Sequence, residues 1–400
     1  MRAKGVIGID IGTESIKVVA LEAVPGESVA RVVGAGAALT KGMRKGAIID
    51  PAEVTKAIKE AVDALEKSTG IKSGDVYAGI GGIGVASQKS KGLVAVSRAD
   101  GEITKEDAVR AVGASETNLS RIQNREILHK FPVLYRVDNE TVTHDPAGLM
   151  GVRLEAEVLF ITSFSQSLKN IIKAFEEADV YIEEIIASPL AAAHAVLEPR
   201  EKEVGTMLLD FGASTTSVIL FEEGLPYSLE VFPFGSFHIT QDIAMGLRVT
   251  LEEAEKLKIN YGAVRYENSL FNKKSDLVYG NYSKKKLAEI IEARLDDIFE
   301  LVEKHLKKVE RAGLLPGGVV IVGGGANLPG IEEFTKERLK LHARVAEPAA
   351  LGGFKDKVRN PAWSVAVGAA LMALEKKNSL SPFLRGRSGS FFKWLRAFLP

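Results

Sequence analysis

Val6-Ile7-Gly8-Ile9-Asp10-Ile11-Gly12-Thr13 is a short apolar run that ends in an aspartate, turns at Gly12 and resumes as Ile16-Lys17-Val18-Val19-Ala20-Leu21. Two apolar runs joined by a glycine turn read as a β-hairpin. The pattern returns later. Met207-Leu208-Leu209-Asp210-Phe211-Gly212-Ala213-Ser214-Thr215-Thr216 leads into Ser217-Val218-Ile219-Leu220-Phe221 and a turn at Glu223-Gly224. Both copies are apolar strand, Asp-x-Gly-x-(Ser/Thr), apolar strand. A repeat about two hundred residues apart predicts a duplicated α/β domain facing itself across a cleft.

The turns have a direct chemical use. A tight glycine turn lets backbone N–H groups approach phosphate oxygens, while the Thr13 hydroxyl and Lys17 add donors and charge. From one copy alone, a plain hairpin turn is an equally good reading. Two copies could grip a phosphate chain from opposite sides, with Asp10 and Asp210 facing one Mg²⁺ through water. A third signal is Val322-Gly323-Gly324-Gly325-Ala326, directly after the buried-type strand Val319-Val320-Ile321-Val322. A flexible loop is the other reading, yet three glycines at a strand end carry an entropic cost that a plain connector avoids, which favours close backbone approach to an adenosine.

The surrounding chain is that of a modular globular protein. Its 400 residues exceed what one core organises, and 46% apolar with 26% charged residues excludes fibre and disorder. Lys+Arg and Asp+Glu both total 52, which leaves no global field for nucleic acid. Cysteine is absent, which removes disulfides, thiolate nucleophiles and cysteine-held metal and fits a reducing compartment. No secretion signal is expected at the start, and no apolar run approaches the roughly 18 residues of a spanning helix.

Helical spacing of Val54, Ile58, Val62 and Leu65 after Asp50-Pro51 predicts a helix over Ala52 to Lys67. Further helices are expected over Thr104 to Val112, Leu168 to Ala178, Leu251 to Leu257 and Lys284 to Lys308. Strands are expected over Val76 to Ile80, Gly92 to Val96, Val133 to Val137 and Glu155 to Ile161. From Glu375 the composition turns to Lys, Ser, Gly, Arg and Pro, which reads as a linker after a folded body ending near Leu374.

On a helical wheel, Phe391, Phe392, Trp394, Leu395, Phe398 and Leu399 gather into an arc of roughly 160°, with Lys393 and Arg396 on the other side. Aromatic residues on one face and cations on the other describe a helix lying in a membrane interface. Lys376, Lys377, Arg385 and Arg387 would favour anionic lipid. A helix packed on the protein's own core is the alternative, which the intervening linker disfavours.

The order of these signals resembles the actin, Hsp70 and sugar-kinase superfamily. Within it, Arg125-Glu126-Ile127-Leu128-His129, the run Asp145 to Ala156 and Ile161-Thr162 look like the inserted subdomain, 1C, of the cell-division family FtsA. Gly42-Met43-Arg44-Lys45-Gly46, Gly79-Ile80-Gly81-Gly82, and Ile239-Thr240-Gln241-Asp242-Ile243 with Gly246-Leu247 match the same family. The resemblance implies an α/β, actin-like two-domain fold with duplicated RNase H-like cores around a nucleotide cleft. Domain 1A would take residues 1–83 and 163–195, 1C 84–162, 2A 196–247 and 312–374, and 2B 248–311. A linker over 375–390 and an amphipathic membrane helix over 391–400 would follow.

The resemblance also implies ATP and Mg as cofactors. The expected nucleotide contacts are Asp10, Gly12, Thr13, Glu14, Ser15 and Lys17 on the first turn, then Asp210, Gly212, Ser214 and Thr215 on the second. Gly235, the helix pair Glu255 and Lys258, and Gly323, Gly324, Gly325 and Ala326 complete the set. No residue is identified to orient an attacking water, although Ala187-Ser188-Pro189 resembles the family's first connecting segment, so at most slow hydrolysis is expected. Implied partners are the C-terminal peptide of FtsZ on the helix Lys284 to Lys308, with Arg294 as a contact, further copies in filaments, anionic lipid, and downstream division proteins near 1C. The implied location is the cytoplasmic face of the membrane at the division site. A pilus-assembly actin-like ATP-binding protein is one alternative, which would lack the aromatic tail. A sugar-kinase-type phosphotransferase is another, which would need a carboxylate base facing a substrate hydroxyl.

Overall fold

The computed structural model describes residues 5–24, 29–70, 74–120, 123–265, 277–278, 282–348 and 351–379. The chain opens with β1 (Val6–Ile11), β2 (Ser15–Ala23) and β3 (Ala30–Leu39), then a small hairpin of β4 (Met43–Arg44) and β5 (Ala47–Ile48). Helix α1 (Pro51–Thr69) starts where the Asp50 side chain accepts from the Ala52 and Glu53 N–H groups, and it stops at Gly70 in the left-handed conformation. Strand β6 (Asp75–Ile80) follows, and then a unit with its own core: β7 (Ala86–Ala95), α2 (Lys105–Thr117), β8 (Arg125–Val137), β9 (Thr141–Thr143) and β10 (Arg153–Phe164). The first lobe resumes with α3 (Ser165–Glu177), β11 (Ile182–Ala187) and α4 (Ser188–Val196).

The second lobe runs through α5 (Pro199–Val204), β12 (Thr206–Phe211), β13 (Thr216–Glu222), β14 (Leu225–Phe232), α6 (Ser236–Leu247) and α7 (Leu251–Tyr261). A short pair β15 (Leu277–Val278) and β16 (Tyr282–Ser283) leads into α8 (Lys284–Lys308), β17 (Val319–Val322), α9 (Ile331–Leu339) and β18 (Ala343–Val345). Strand β19 (Leu351–Gly353) and helix α10 (Ser364–Ser379) close the described chain.

The duplication expected from the two Asp-Gly hairpins is present in the sheets. The first sheet has the order β11-β6-β1-β2-β3-β19 and the second β14-β13-β12-β17-β18. In each, the Asp-bearing strand is central, pairs antiparallel with the second arm of its hairpin and parallel with a later strand. Helices α4 and α10 lie between the two sheets. Their Ala191, Ala192, Ala366 and Ala370 share one core with Val6 and Leu21 of the first sheet and Leu208, Ile219 and Val320 of the second. The outer faces are covered separately, by α1 and α3 on the first lobe and by α6 to α9 on the second.

The inserted unit is a sheet of order β7-β10-β8-β9 with α2 packed on it. Its strands run well past the expected segments: β8 and β10 pair from Arg125–Phe164 to Val137–Leu154, through two irregular registers. Polar residues at the ends of these strands hide the alternation that sequence reading relies on.

The expected end of the body near Leu374 and the linker onset at Glu375 are corrected. Helix α10 runs on to Ser379. Lys376 bonds Glu184 at 2.8 Å and Lys377 bonds Asp75 at 2.8 Å, so these two cations are held on the body rather than offered to lipid. Arg385, Arg387, Phe391, Phe392, Lys393, Trp394, Leu395, Arg396, Phe398 and Leu399 lie outside the described residues. Among the described residues no helix is long and apolar enough to cross a membrane.

Candidate functional site

The ends of β1 and β12 bring the two Asp-Gly turns together. Thr13 Oγ1 and Ser214 Oγ lie 2.8 Å apart, a hydroxyl contact between residues on different lobes. The second turn closes on itself, the Gly212 N–H donating to the Thr215 carbonyl at 3.0 Å. Between the lobes is a cavity of about 520 Å³. Asp10, Gly12, Thr13, Glu14, Ser15 and Lys17 line it from the first lobe, and Asp210, Gly212 and Thr215 from the second. Its volume falls within the usual 300–1,000 Å³ range of small-molecule sites (roughly).

Hairpin register places Lys17 opposite Asp10 and Ser217 opposite Asp210. The duplicated carboxylates therefore differ. Lys17 Nζ sits 3.7 Å from Asp10 Oδ2 and donates to Ser15 Oγ at 2.9 Å. Burial raises the Asp10 carboxyl above its ordinary range, and Lys17 offsets part of that rise. Opposite Asp210 in its own hairpin stands a serine rather than a cation, and Lys17 acts on it only from the other lobe. Burial first and the Asp10 charge second push its carboxyl up to about 7. Two dehydrated carboxylates on facing turns form a site short of positive charge.

That donor set fits a hydrated Mg²⁺. Among the described residues no group of three or more His, Asp or Glu is close enough to cage a metal. Mg²⁺ commonly keeps several waters and binds through one or two carboxylates plus substrate phosphates. Asp10 and Asp210 are such a pair.

The far wall comes from α7 and the glycine run. Lys258 Nζ bonds Glu255 Oε2 at 2.8 Å, and Thr240 on α6 links them, donating to Glu255 and accepting from Lys258 at 2.9 Å. Thr240 is fully buried and was quoted above only as part of a family pattern. Gly323 has φ of 87°, and a Cβ there would meet Asp210 Oδ1 at 2.5 Å, while one at Gly325 would strike the Phe211 ring. Gly324 differs: a Cβ there would meet nothing within 4 Å, because the position opens on the cavity.

Three expected contacts do not reach the wall. Ser214 turns to Thr13. Ala326 is buried beneath the glycine run. Gly235 lies behind the second turn, where a Cβ would meet the Gly212 carbonyl at 2.6 Å. Its role is to let Ser236 and Phe237 donate to the Gly212 and Ala213 carbonyls at 2.9 and 2.8 Å. Arg294 is on α8, outside the cavity, with a bidentate bond to Asp242 and a 3.2 Å bond to Asp297.

The cavity also gathers residues that sequence reading missed, among them Ile239, Ile259, Asn327, Pro361 and Ser364. They come from four separate places in the chain and share no pattern. Ser188, from the Ala187-Ser188-Pro189 stretch, does line the wall. His129 is structural: buried, its Nε2 accepts from the Ala187 N–H at 3.1 Å, and burial lowers it to about 4.

Comparison with known proteins follows the same outline. A family model described as cell division protein FtsA matches residues 207–368, and one described as the SHS2 domain inserted in FtsA matches 82–162. A cell division protein FtsA of Pseudomonas aeruginosa is 32% identical over 382 residues, spanning 94% of this chain and 90% of its own. One of Bacillus subtilis is 33% identical over 368 residues, spanning 90% and 82%. Among solved structures, a PilM-PilN type IV pilus biogenesis complex superposes with TM-score 0.68 at 18% identity, covering 92% of this chain and 98% of that one. MreB5 of Spiroplasma citri bound to ADP gives 0.58 at 13% identity, covering 95% and 99%. At such identities these two likenesses concern the fold alone, and that fold is actin-like.

Proposed function

Because this chain belongs to the FtsA family of cell-division proteins, we propose that it binds MgATP between its lobes and serves as a nucleotide-switched scaffold. In this reading closed subunits associate into filaments, filaments hold their C-terminal segments in the cytoplasmic face of the membrane, and the scaffold tethers FtsZ there and recruits later division proteins.

The observation that carries the nucleotide part is the pair of facing turns, joined through Thr13 and Ser214, with Asp10 buried and Asp210 half-buried at their bases. Backbone N–H groups of the turns and the Lys17 ammonium would hold phosphate oxygens. Bound Mg²⁺ would supply the neutralising charge that two carboxylates and a phosphate chain need. Glu255, fixed by Thr240 and Lys258, offers a carboxylate oxygen to sugar hydroxyls, and the bare backbone of Gly324 leaves room for a flat base.

Membrane attachment rests on residues 391–399 as a sequence pattern. One short helix binds reversibly, so attachment by many copies in a filament is the physical route to stable tethering. For the FtsZ peptide, α8 is the proposed seat. Arg294 already serves Asp242 and Asp297, so an acidic peptide would compete with them for it. ATP acts as a switch, with at most slow hydrolysis. A pilus-assembly role has less support, because the pilus likeness is 18% identical whereas the cell-division relatives stand at 32% and 33%.

Calorimetric titration of MgATP into the protein and into Asp10→Asn tests the nucleotide part. One site per chain is expected for the former and a severe loss for the latter. Absence of binding to the unaltered protein, or phosphorylation of an added sugar, would sink the reading.

A further inference from the structure

Lys45 is a cation near the cleft that no role above uses. It sits at the tip of the β4–β5 hairpin with φ of 51°, followed by Gly46 with φ of 78°. A left-handed lysine costs conformational energy, and such a residue persists where its surroundings hold it. The surroundings here are backbone. A Cβ on Gly46 would meet Gly82 Cα at 2.3 Å, and one on Gly82 would meet Gly46 Cα at 2.5 Å, so the tip is pressed flat on the Gly81-Gly82 wall. The Ile83 N–H donates to the Lys45 carbonyl at 3.2 Å, pinning it there. Gly46, Gly81 and Gly82 all line the same cavity as Asp10 and Asp210.

The side chain points across the cleft. Its Nζ lies 6.0 Å from the centroid of Phe234, a residue of the second lobe. Phe234 stacks edge-on with His238, and the His238 Nδ1 accepts from the N–H of Gly235, which backs the second Asp-Gly turn. The His238 imidazole is held down first by burial, and the Lys45 charge acts in the same direction. Lys45 thus reaches from the first lobe to the support of the turn on the second.

Charge balance supplies the reason. The cavity wall carries Asp10, Glu14, Asp210 and Glu255 against two lysines. Lys17 already faces Asp10 and donates to Ser15, and Lys258 is paired with Glu255. Lys45, half-buried, makes no ion pair with a carboxylate among the described residues. Each phosphate added to a bound nucleotide brings further negative charge into a wall that is already acidic, and a further first-lobe cation beside Lys17 is the available answer.

We propose that Lys45 is a specificity-determining residue that leaves the Phe234 ring to bond the terminal phosphate of a nucleoside triphosphate, so that triphosphate and diphosphate are told apart across the cleft. This rests on the reading of the cleft as a nucleotide site. A triphosphate draws the first-lobe hairpin toward the second-lobe turn, whereas a diphosphate leaves Lys45 on Phe234.

The test uses the full chain with Lys45→Asn and Lys45→Arg. Asparagine tolerates the left-handed conformation, so the turn survives loss of the charge. Affinities for MgATP and MgADP are measured by calorimetry, with thermal midpoints as the check on folding. The expected result is ATP binding weakened about tenfold or more in Lys45→Asn, ADP binding unchanged within about twofold, and ATP binding retained in Lys45→Arg. If the unaltered protein binds neither nucleotide, the cleft reading falls and this inference with it. If it binds both, and Lys45→Asn weakens them alike or weakens neither, the assignment of Lys45 alone is overturned.

Discussion

Replacing Asp210 by asparagine should stabilise the nucleotide-free protein while removing its ability to bind MgATP. The Asp210 carboxyl is pushed from an ordinary 3.8 up to about 7, by burial and then by the Asp10 charge. A raised acid is disfavoured as an ion in the folded state. Its penalty is absent below the unfolded value, grows as pH rises from about 4 to about 7, and is complete above that. At about 1.4 kcal/mol per pKa unit, holding Asp210 ionised costs up to about 4 kcal/mol at about pH 8. The Asp210→Asn change removes that cost and keeps the shape. At roughly 2–4 °C per kcal/mol for a domain of about 150–250 residues, the second lobe's midpoint should rise by about 8–16 °C at about pH 8 and barely at about pH 4. The assay is thermal unfolding at both pH values without ligand, followed by MgATP titration. An unchanged or lowered midpoint at the higher pH, or an equal rise at both, would refute the electrostatic account of the carboxylate pair.

Other expectations follow from single positions. Gly324→Ala should leave the unfolding midpoint unchanged, since its Cβ meets nothing within 4 Å, yet weaken nucleotide binding by filling the ligand's space; equal affinity would show that nothing approaches Gly324. Gly325→Ala, whose Cβ would fall 2.3 Å from a Phe211 ring carbon, should instead lower the midpoint measurably. His129 is held to about 4 by burial, so stability should fall as pH drops from about 6.5 through about 4, by up to about 3 kcal/mol, and His129→Gln should flatten that part of a pH–stability curve. Thr240→Val should weaken binding of ATP more than of a 2′,3′-dideoxy analogue, because the Glu255 oxygen it steadies loses its fixed position; equal losses for both would deny that role.

Repetition made the site's centre legible. Asp10 and Asp210 recur in the same local pattern, and five strands of the first sheet repeat in the second, with β19 alone unmatched. Strand β17 and helix α8 also match their expected bounds: the first is a short β-branched run after Pro316-Gly317-Gly318, the second a long amphipathic run. Helix α10 was hidden for the opposite reason. Packed between two sheets, it is apolar on most sides through Ala366, Val367, Ala369 and Ala370, so it shows no periodic face, and the body was expected to end before it did. Strand β3, Ala30–Leu39, is rich in alanine and glycine and carries little of the branched signal by which strands are read. Cleft residues such as Pro361 and Ser364 were illegible because only the fold brings them to Asp210. The unequal partners of the two aspartates, Lys17 and Ser217, were written in the sequence, but their meaning depends on register and burial.

The central claim is a nucleotide-dependent hold on the membrane, and co-sedimentation with anionic vesicles tests it most directly. The full chain and a form truncated after Ser390 are compared, each with MgATP, with MgADP and without nucleotide. The account predicts that the full chain pellets with vesicles most strongly in MgATP and that the truncated form stays in solution in every condition. Equal pelleting of both forms, or pelleting of the full chain that ignores nucleotide, would contradict it.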